Sequence, residues 1–275
     1  MKMESVAGKR VLVTGAAMGL GKLFAEHAVR EGADAVVLWD INEIALRETA
    51  AQLSAQGGKV HQYVVDVSSQ DSIRENGEAV RKEIGGIDIL VNNAGIVRGN
   101  TYFWETENRA DIDKTMAINS LAPMYVTLEF LPGMVAGAGQ ARILNIASSA
   151  GLVANPRMAV YAASKWAALG WSDSVRLELE QAGHDHVKVT TVCPTYINTG
   201  MFDGAKGILF TPMLEQNDVV DTSWREMKNG GALVVLPWTS RMNRALTGLL
   251  PIKIRDLYLN AVGVYHSMDH FTGRK

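Results

Sequence analysis

The chain carries 275 residues, 47% of them hydrophobic, with 27 basic and 29 acidic side chains and a formal net charge of −2. That length is the upper end of one α/β domain, the apolar content suffices for a buried parallel sheet, and a balanced charge without a basic run argues against nucleic acid as a partner. A single cysteine, Cys193, excludes an internal disulfide and suits a reducing compartment; no stretch reaches the ~18 apolar residues that span a bilayer, and residues 1–9 hold no apolar segment like a secretion signal, so the cytoplasm is the expected location.

In chain order, residues 9–13 read as a short buried strand. Thr14-Gly15-Ala16-Ala17-Met18-Gly19-Leu20-Gly21 follows, then a helical pattern over 22–29. Strand, glycine turn and helix make the setting a dinucleotide needs. The backbone reaches a pyrophosphate where side chains are missing, and the helix N-terminus favours its negative charge. The spacing is G-x-x-x-G-x-G rather than the commoner G-x-G-x-x-G, and a tight turn with no ligand has the same composition. The next strand, 35–39, ends in Asp40, nineteen residues after Gly21. An acid about 20 residues on accepts from the ribose hydroxyls. A carboxylate there repels a 2′-phosphate and Met18 offers no positive charge to hold one, so NAD is expected over NADP. Asp40 also reads as a cap for a helix beginning near Ile41.

Further strands are read at 61–65, 87–91, 142–146, 187–193 and 232–236, with helical patterns between them. The expected fold is therefore a single α/β Rossmann domain over 1–275, a doubly wound seven-stranded parallel sheet with helices on both faces. Ser148, Tyr161 and Lys165 carry the chemistry. A tyrosine in water has a pKa of about 10. A lysine ammonium one helical turn on favours the phenolate and brings that value towards neutrality. With a serine hydroxyl to hold a carbonyl or alcohol oxygen, the trio can move a proton on and off a substrate. Other clusters read as structural: His184-Asp185-His186 has no third ligand at useful spacing, His266 and His270 flank Asp269 in the tail, and Cys193 before Pro194 reads as a small buried apolar residue. No metal is expected.

Taken with Asp66-Val67, Asn92-Asn93-Ala94-Gly95, Asn119 and the stretch 194–199, these motifs closely resemble the short-chain dehydrogenase/reductase family over nearly the whole chain. The resemblance assigns Gly15, Ala17, Met18, Gly19, Leu20 and Gly21 to the cofactor turn, and Asp66 and Val67 to adenine. It places Asn93, Ala94 and Gly95 against the cofactor, with Pro194, Ile197 and Thr199 at its carboxamide. It makes Asn119, Ser148, Tyr161 and Lys165 catalytic, Asn119 ordering a water in the proton relay and Lys165 binding the nicotinamide ribose. Family spacing and Gly151 select Ser148 over Ser149. Thr195 stands where glycine is usual.

Two regions fall outside the shared core. In this family a segment such as 199–214 closes over the substrate, and here it holds Met201, Phe202, Ile208, Leu209, Phe210 and Met213. The C-terminal extension, 238–275, interleaves apolar residues with Arg241, Arg244, Lys253 and Arg255. It reads as an amphipathic docking helix or as a peripheral membrane contact. Lid and tail resemble the family branch of retinol and hydroxysteroid dehydrogenases, which implies a lipophilic alcohol or carbonyl substrate. The helices near 123–126 and 161–175 carry apolar bulk on more than one face; in the family they pair across a two-fold axis, which implies a homodimer or homotetramer. A 3-oxoacyl-thioester reductase and a catalytically silent NAD-binding subunit are the alternatives. Asp40 argues against the first and the intact catalytic set against the second.

Overall fold

The computed structural model describes residues 2–202, 204–209 and 211–273, and its seven strands form one parallel sheet. They are β1 (Arg10–Thr14), β2 (Ala35–Asp40), β3 (Val60–Val64), β4 (Ile89–Asn92), β5 (Ala141–Ile146), β6 (Val187–Pro194) and β7 (Leu233–Leu236). Helices α1 (Gly19–Arg30), α2 (Glu43–Ala55) and α7 (Gln216–Asn229) cover one face, and α3 (Gln70–Ile84), α5 (Ala122–Ala136) and α6 (Ala159–Gln181) the other. Successive strand residues point to opposite faces, so β1 divides its side chains. Val11 and Val13 pack with Phe24, Leu46 and Trp224. Leu12 packs with Ile73, Val80 and Phe130. Burial on both faces is why these strands read as unbroken apolar runs.

The strand order is β3-β2-β1-β4-β5-β6-β7. The chain winds outward from β1 to β3 and returns to pair β4 on the other side of β1. Connections leaving β1 and β4 therefore diverge and open a crevice at the strands' carboxyl ends. β4 begins two residues later than the apolar pattern places it. Asp88 is drawn aside by Arg10, whose backbone N–H and Nε both donate to Asp88 Oδ2 at 2.9 Å.

The C-terminal extension departs most from expectation. It forms two helices, α8 (Trp238–Leu249) and α9 (Ile252–Ala261), because Pro251 cannot continue the first. α8 buries none of its residues, and Trp238, Met242, Leu246 and Leu249 all face outward. The residues it half-covers against the protein are polar, namely Thr239, Ser240, Asn243 and Thr247, while Arg241 and Arg244 are exposed. The segment 199–214 is tied to this extension: the Lys206 N–H donates to Ser267 O at 2.8 Å and the Leu209 N–H to Val262 O at 3.0 Å.

Candidate active site

The glycine turn is latched from beneath. Thr14 Oγ1, at the end of β1, accepts from the N–H groups of Asn93 (3.0 Å) and Ala94 (3.1 Å). Asn93 Nδ2 donates back to Thr14 O (3.0 Å) and Gly15 O (3.1 Å). Gly15 has φ +64°, in the left-handed region that glycine alone enters without strain. A Cβ at Gly21 would lie 2.0 Å from Gly15 O, so the close approach of α1 to the turn requires glycine there.

Above the turn lies a cleft of about 390 Å³. Gly15, Met18, Gly19, Leu20, Asp40, Asp66, Val67, Asn93, Ala94 and Gly95 line one end, and Ser148, Tyr161, Lys165, Pro194, Ile197 and Thr199 the other. Asp40 Oδ2 accepts from the Ala17 N–H and Oδ1 from the Asn42 N–H, both at 2.9 Å. This fixes the carboxylate in the cleft wall. The cap of α2 is Asn42, whose side chain accepts from the Ala45 N–H, so the reading of Asp40 as the helix cap is set aside. The glycine cradle, the acid at the end of β2 and the elongated cleft fit a dinucleotide.

Ala17 and Gly21 stand outside the cleft wall. Both backbone polar groups of Ala17 are engaged, the N–H with Asp40 and the carbonyl with Thr49 Oγ1 at 2.8 Å. Ala17 shapes the turn and holds Asp40; Gly21 lets α1 pack.

At the far end, Ser148 follows β5 and its Oγ accepts from the Ala150 N–H at 3.1 Å. The turn after it presses on α6: a Cβ at Gly151 would meet Lys165 O at 2.7 Å, so glycine sets how closely serine approaches tyrosine. Ser148 hydrogen-bonds Tyr161, and Lys165 Nζ donates to Ile146 O at 3.0 Å, 5.8 Å from the tyrosine ring centroid. The expected fall of the Tyr161 pKa towards neutrality is not what the site shows. Burial pushes the phenol up to about 12, against the Ser148 hydrogen bond, which favours the phenolate. Burial also brings the Lys165 ammonium down to about 8. Desolvation outweighs attraction here because the ammonium engages a carbonyl and not the phenol oxygen. A phenol pushed up this far keeps its proton at neutral pH.

Asn119 is 2% exposed and does not reach the cleft. Its Oδ1 accepts from the Ile96 N–H and its Nδ2 donates to Ile96 O, both at 2.9 Å, and Nδ2 also donates to Ser164 Oγ at 3.2 Å. It sits in a widened π turn, Ala117–Leu121, between α4 (Ala110–Met116) and α5; such turns recur at functional sites. Ser164 was legible only as a small residue on the tyrosine helix, yet it braces Asn119.

Of the lid residues, Met201 and Phe202 line the cleft and Phe202 stacks edge-on against Tyr161, with ring centroids 6.3 Å apart. Ile208 lines an adjoining cavity, Leu209 and Met213 are exposed, and Phe210 lies outside the described residues. One feature was missed in the sequence. Asn155 Nδ2 donates to Tyr196 Oη and Ser267 Oγ, both at 3.2 Å, which joins the C-terminal extension to the active-site wall. Cys193 is buried, and burial pushes its thiol up to about 12, the state of an inert packing residue.

A glycine cradle opening on a dinucleotide cleft, with acid–base residues at its far end, defines the Rossmann-type nicotinamide oxidoreductases. The profile described as short chain dehydrogenase matches residues 9–206. Mouse epidermal retinol dehydrogenase 2 is 36% identical over 276 residues, covering 99% of this chain and 88% of its own. Human estradiol 17-beta-dehydrogenase 11 is 36% identical over 91% of this chain and 82% of its own. A short-chain dehydrogenase/reductase from Burkholderia phymatum, solved in complex with NAD, superposes with a TM-score of 0.82 at 25% identity, over 94% of this chain and 97% of that one. A metagenomic short-chain oxidoreductase in complex with NADP gives a TM-score of 0.72 at 29% identity, over 85% and 98%. The chain belongs to the short-chain dehydrogenase family, in the branch of the retinol and hydroxysteroid dehydrogenases, and is an oxidoreductase acting on hydroxyl donors.

Proposed function

We propose that this protein interconverts a lipophilic primary or secondary alcohol and its aldehyde or ketone, with NAD preferred over NADP. The observation that carries the reading is the convergence of Ser148, Tyr161 and Lys165 at one end of the dinucleotide cleft, beside the apolar Met201 and Phe202. NAD, when bound, accepts the hydride, and its reduced form donates it. Asp40 takes the adenosine ribose, Asp66 and Val67 the adenine, the turn from Gly15 to Leu20 the pyrophosphate, and Pro194, Ile197 and Thr199 the carboxamide. In reduction Tyr161 donates its phenolic proton to the carbonyl oxygen while Ser148 Oγ holds that oxygen. In oxidation the phenolate takes the hydroxyl proton. Lys165 supplies the charge that favours the phenolate and binds the nicotinamide ribose. Asn119, behind the cleft and locked to Ile96, acts as a positioning residue that braces Ile96 in the cleft wall.

A panel of alcohols and ketones, read at the reduced-nicotinamide absorbance, tests the reaction. kcat/KM is expected to rise with chain length, each buried methylene contributing up to ~0.8 kcal/mol. A flat series with better turnover of polyols overturns the substrate class, and NADPH-driven reduction of a 3-oxoacyl thioester alone overturns the reaction.

Asp40→Ser is expected to weaken NAD by about one to two decades, since a hydrogen bond to a carboxylate contributes roughly 1.5–3 kcal/mol. It also narrows the gap to NADP. Initial rates with both cofactors decide this; an unmodified enzyme that prefers NADP contradicts it.

The same reading has the protein work in the cytoplasm as a homodimer or homotetramer through α5 and α6, where Leu128, Trp166 and Leu177 are exposed. Among the described residues no helix is long and apolar enough to cross a membrane. The outward apolar face of α8 and α9, with Arg241 and Lys253 beside it, suits the surface of an anionic bilayer. Light scattering is expected to give at least two chains for both wild type and Leu249→Glu, and only the variant loses sedimentation with anionic vesicles. A monomer refutes the first part, and equal sedimentation the second.

A further inference from the structure

A second cavity, about 70 Å³, shares Ser148, Tyr161, Thr195 and Phe202 with the main cleft and leads away from the cofactor residues. Leu152, Val153, Met158, Ile208, Leu259 and Val264 give it apolar walls. Its rim differs. α8 contributes Ser240, Asn243 and Arg244 to it.

The orientation of α8 makes this rim unusual. Trp238, Met242, Leu246 and Leu249 follow one another at spacings of four, four and three, so they share one stripe. All four are exposed, Leu249 at 84%. A surface helix ordinarily turns such a stripe inward and its polar side to water. Here the half-buried Ser240 and Asn243, with the exposed Arg244 beside them, line a largely apolar cavity. Two residues of the cavity wall, Thr195 and Thr211, each only 8% exposed, hold hydroxyl oxygens that are buried without a hydrogen-bond partner. Buried polar atoms are costly to leave unpaired, so the wall carries hydrogen-bonding capacity that the protein itself does not use.

The donor set indicates its charge. Arg244 forms no ion pair among the described residues. Both acids of this extension are engaged elsewhere: Asp256 by Arg255 at 2.9 Å and Tyr265 Oη at 2.8 Å, and Asp269 by Arg157 at 3.4 Å and His266 at 3.1 Å. Asn243 Oδ1 accepts from Tyr258 Oη at 2.6 Å, which leaves its Nδ2 group as the donor. A guanidinium, an amide N–H₂ and hydroxyls from Ser240 and Thr211 make a donor-rich rim that suits a carboxylate.

We infer that the rim formed by Arg244, Asn243, Ser240 and Thr211 binds a carboxylate at the far end of the substrate, so that the enzyme acts on hydroxy acids with an apolar body between the reacting alcohol and the acid. This rests on the proposed alcohol–carbonyl chemistry and names the substrate class within it. The anion anchors on α8, the apolar body fills the cavity, and the hydroxyl reaches Ser148 and Tyr161.

Two experiments separate this subsite from the chemistry. In the first, kcat/KM is measured for ω-hydroxy acids of graded length, for their methyl esters and for plain alcohols of equal length. At the best length the acid is expected to exceed its ester by about tenfold to a hundredfold, chiefly through KM. Arg244→Gln is expected to abolish that ratio while leaving the ester's rate unchanged; Arg244→Lys restores part of it. Acids and esters turned over equally, with Arg244→Gln changing neither, overturn the subsite and leave the alcohol chemistry standing. The second experiment needs no turnover. Binding of long-chain fatty acids and their methyl esters to the NAD-loaded protein is followed by tryptophan fluorescence. The acids are expected to bind at least tenfold more weakly to Arg244→Gln than to wild type, and the esters equally to both. Fatty acid binding that is absent, or unaffected by the substitution, overturns the subsite even if no alcohol in the panel reacts.

Discussion

Tyr161→Phe is expected to reduce turnover by about 10²–10⁴-fold, the usual contribution of a positioned acid–base group, with NAD affinity almost unchanged. The substitution removes one oxygen and keeps the ring, so its edge-on contact with Phe202 and its place in α6 persist. What is lost is the phenol that hydrogen-bonds Ser148 at the end of the cleft. The pH dependence follows from the direction of the shifts. With the Tyr161 phenol pushed up to about 12, the acid form needed for carbonyl reduction is abundant at neutral pH. Alcohol oxidation needs the phenolate and is expected to rise with pH. Lys165, brought down to about 8, loses its proton above that value and with it the charge that favours the phenolate, so the rise flattens in alkali. Steady-state kinetics in both directions, with NAD binding measured by titration, check the set. A variant keeping more than a tenth of the wild-type rate sinks the assignment of Tyr161.

Much of the architecture is legible because a parallel sheet covered on both faces leaves strong local traces. The runs around Val11, Val36, Leu90, Ile143 and Val192 each become a strand near the expected bounds, and glycine and carboxylate positions follow from the turns between them. Residues whose roles depend on distant partners are less legible. Nothing local shows that Ala17 holds Asp40, or that Asn119 uses its side chain on Ile96. The tyrosine–lysine spacing reveals the pair but not their burial, and burial decides the direction of both shifts. The amphipathic pattern of α8 is plain in the sequence. Which side faces inward is settled only by tertiary structure, through the cavity at Ser240, Asn243 and Arg244. The bond between Asn155 and Ser267 spans 112 residues and has no sequence signature.

Gly21→Ala is expected to cost about as much binding as any single change outside the catalytic trio, although Gly21 does not line the cleft. The added Cβ would stand 2.0 Å from Gly15 O and 2.6 Å from Asn93 Nδ2. Neither neighbour can give way cheaply. The first is backbone in a left-handed turn, and the second carries the two hydrogen bonds that latch that turn. α1 must therefore move from the turn, which displaces Gly19 and Leu20 at its N-terminus from the pyrophosphate position. Overpacking of this kind destabilises a fold by about 1–3 kcal/mol. The displaced turn is expected to weaken NAD by a further one to two decades, about 1.4 kcal/mol each. Ligand that binds only the native state raises stability by about 2.7 kcal/mol at a concentration of 100 Kd. NAD should therefore raise the melting temperature of the wild type clearly and that of Gly21→Ala little at the same concentration. Gly248→Ala is the matched control. It lies in α8 with nothing within 4 Å of its new Cβ, and the exchange of glycine for alanine in a helix stabilises by up to about 1 kcal/mol. Its melting temperature should rise slightly and its NAD response stay that of the wild type. A Gly21→Ala protein that melts and responds to NAD as the wild type does would show that the approach of α1 to Gly15 is not what holds the cofactor turn in place.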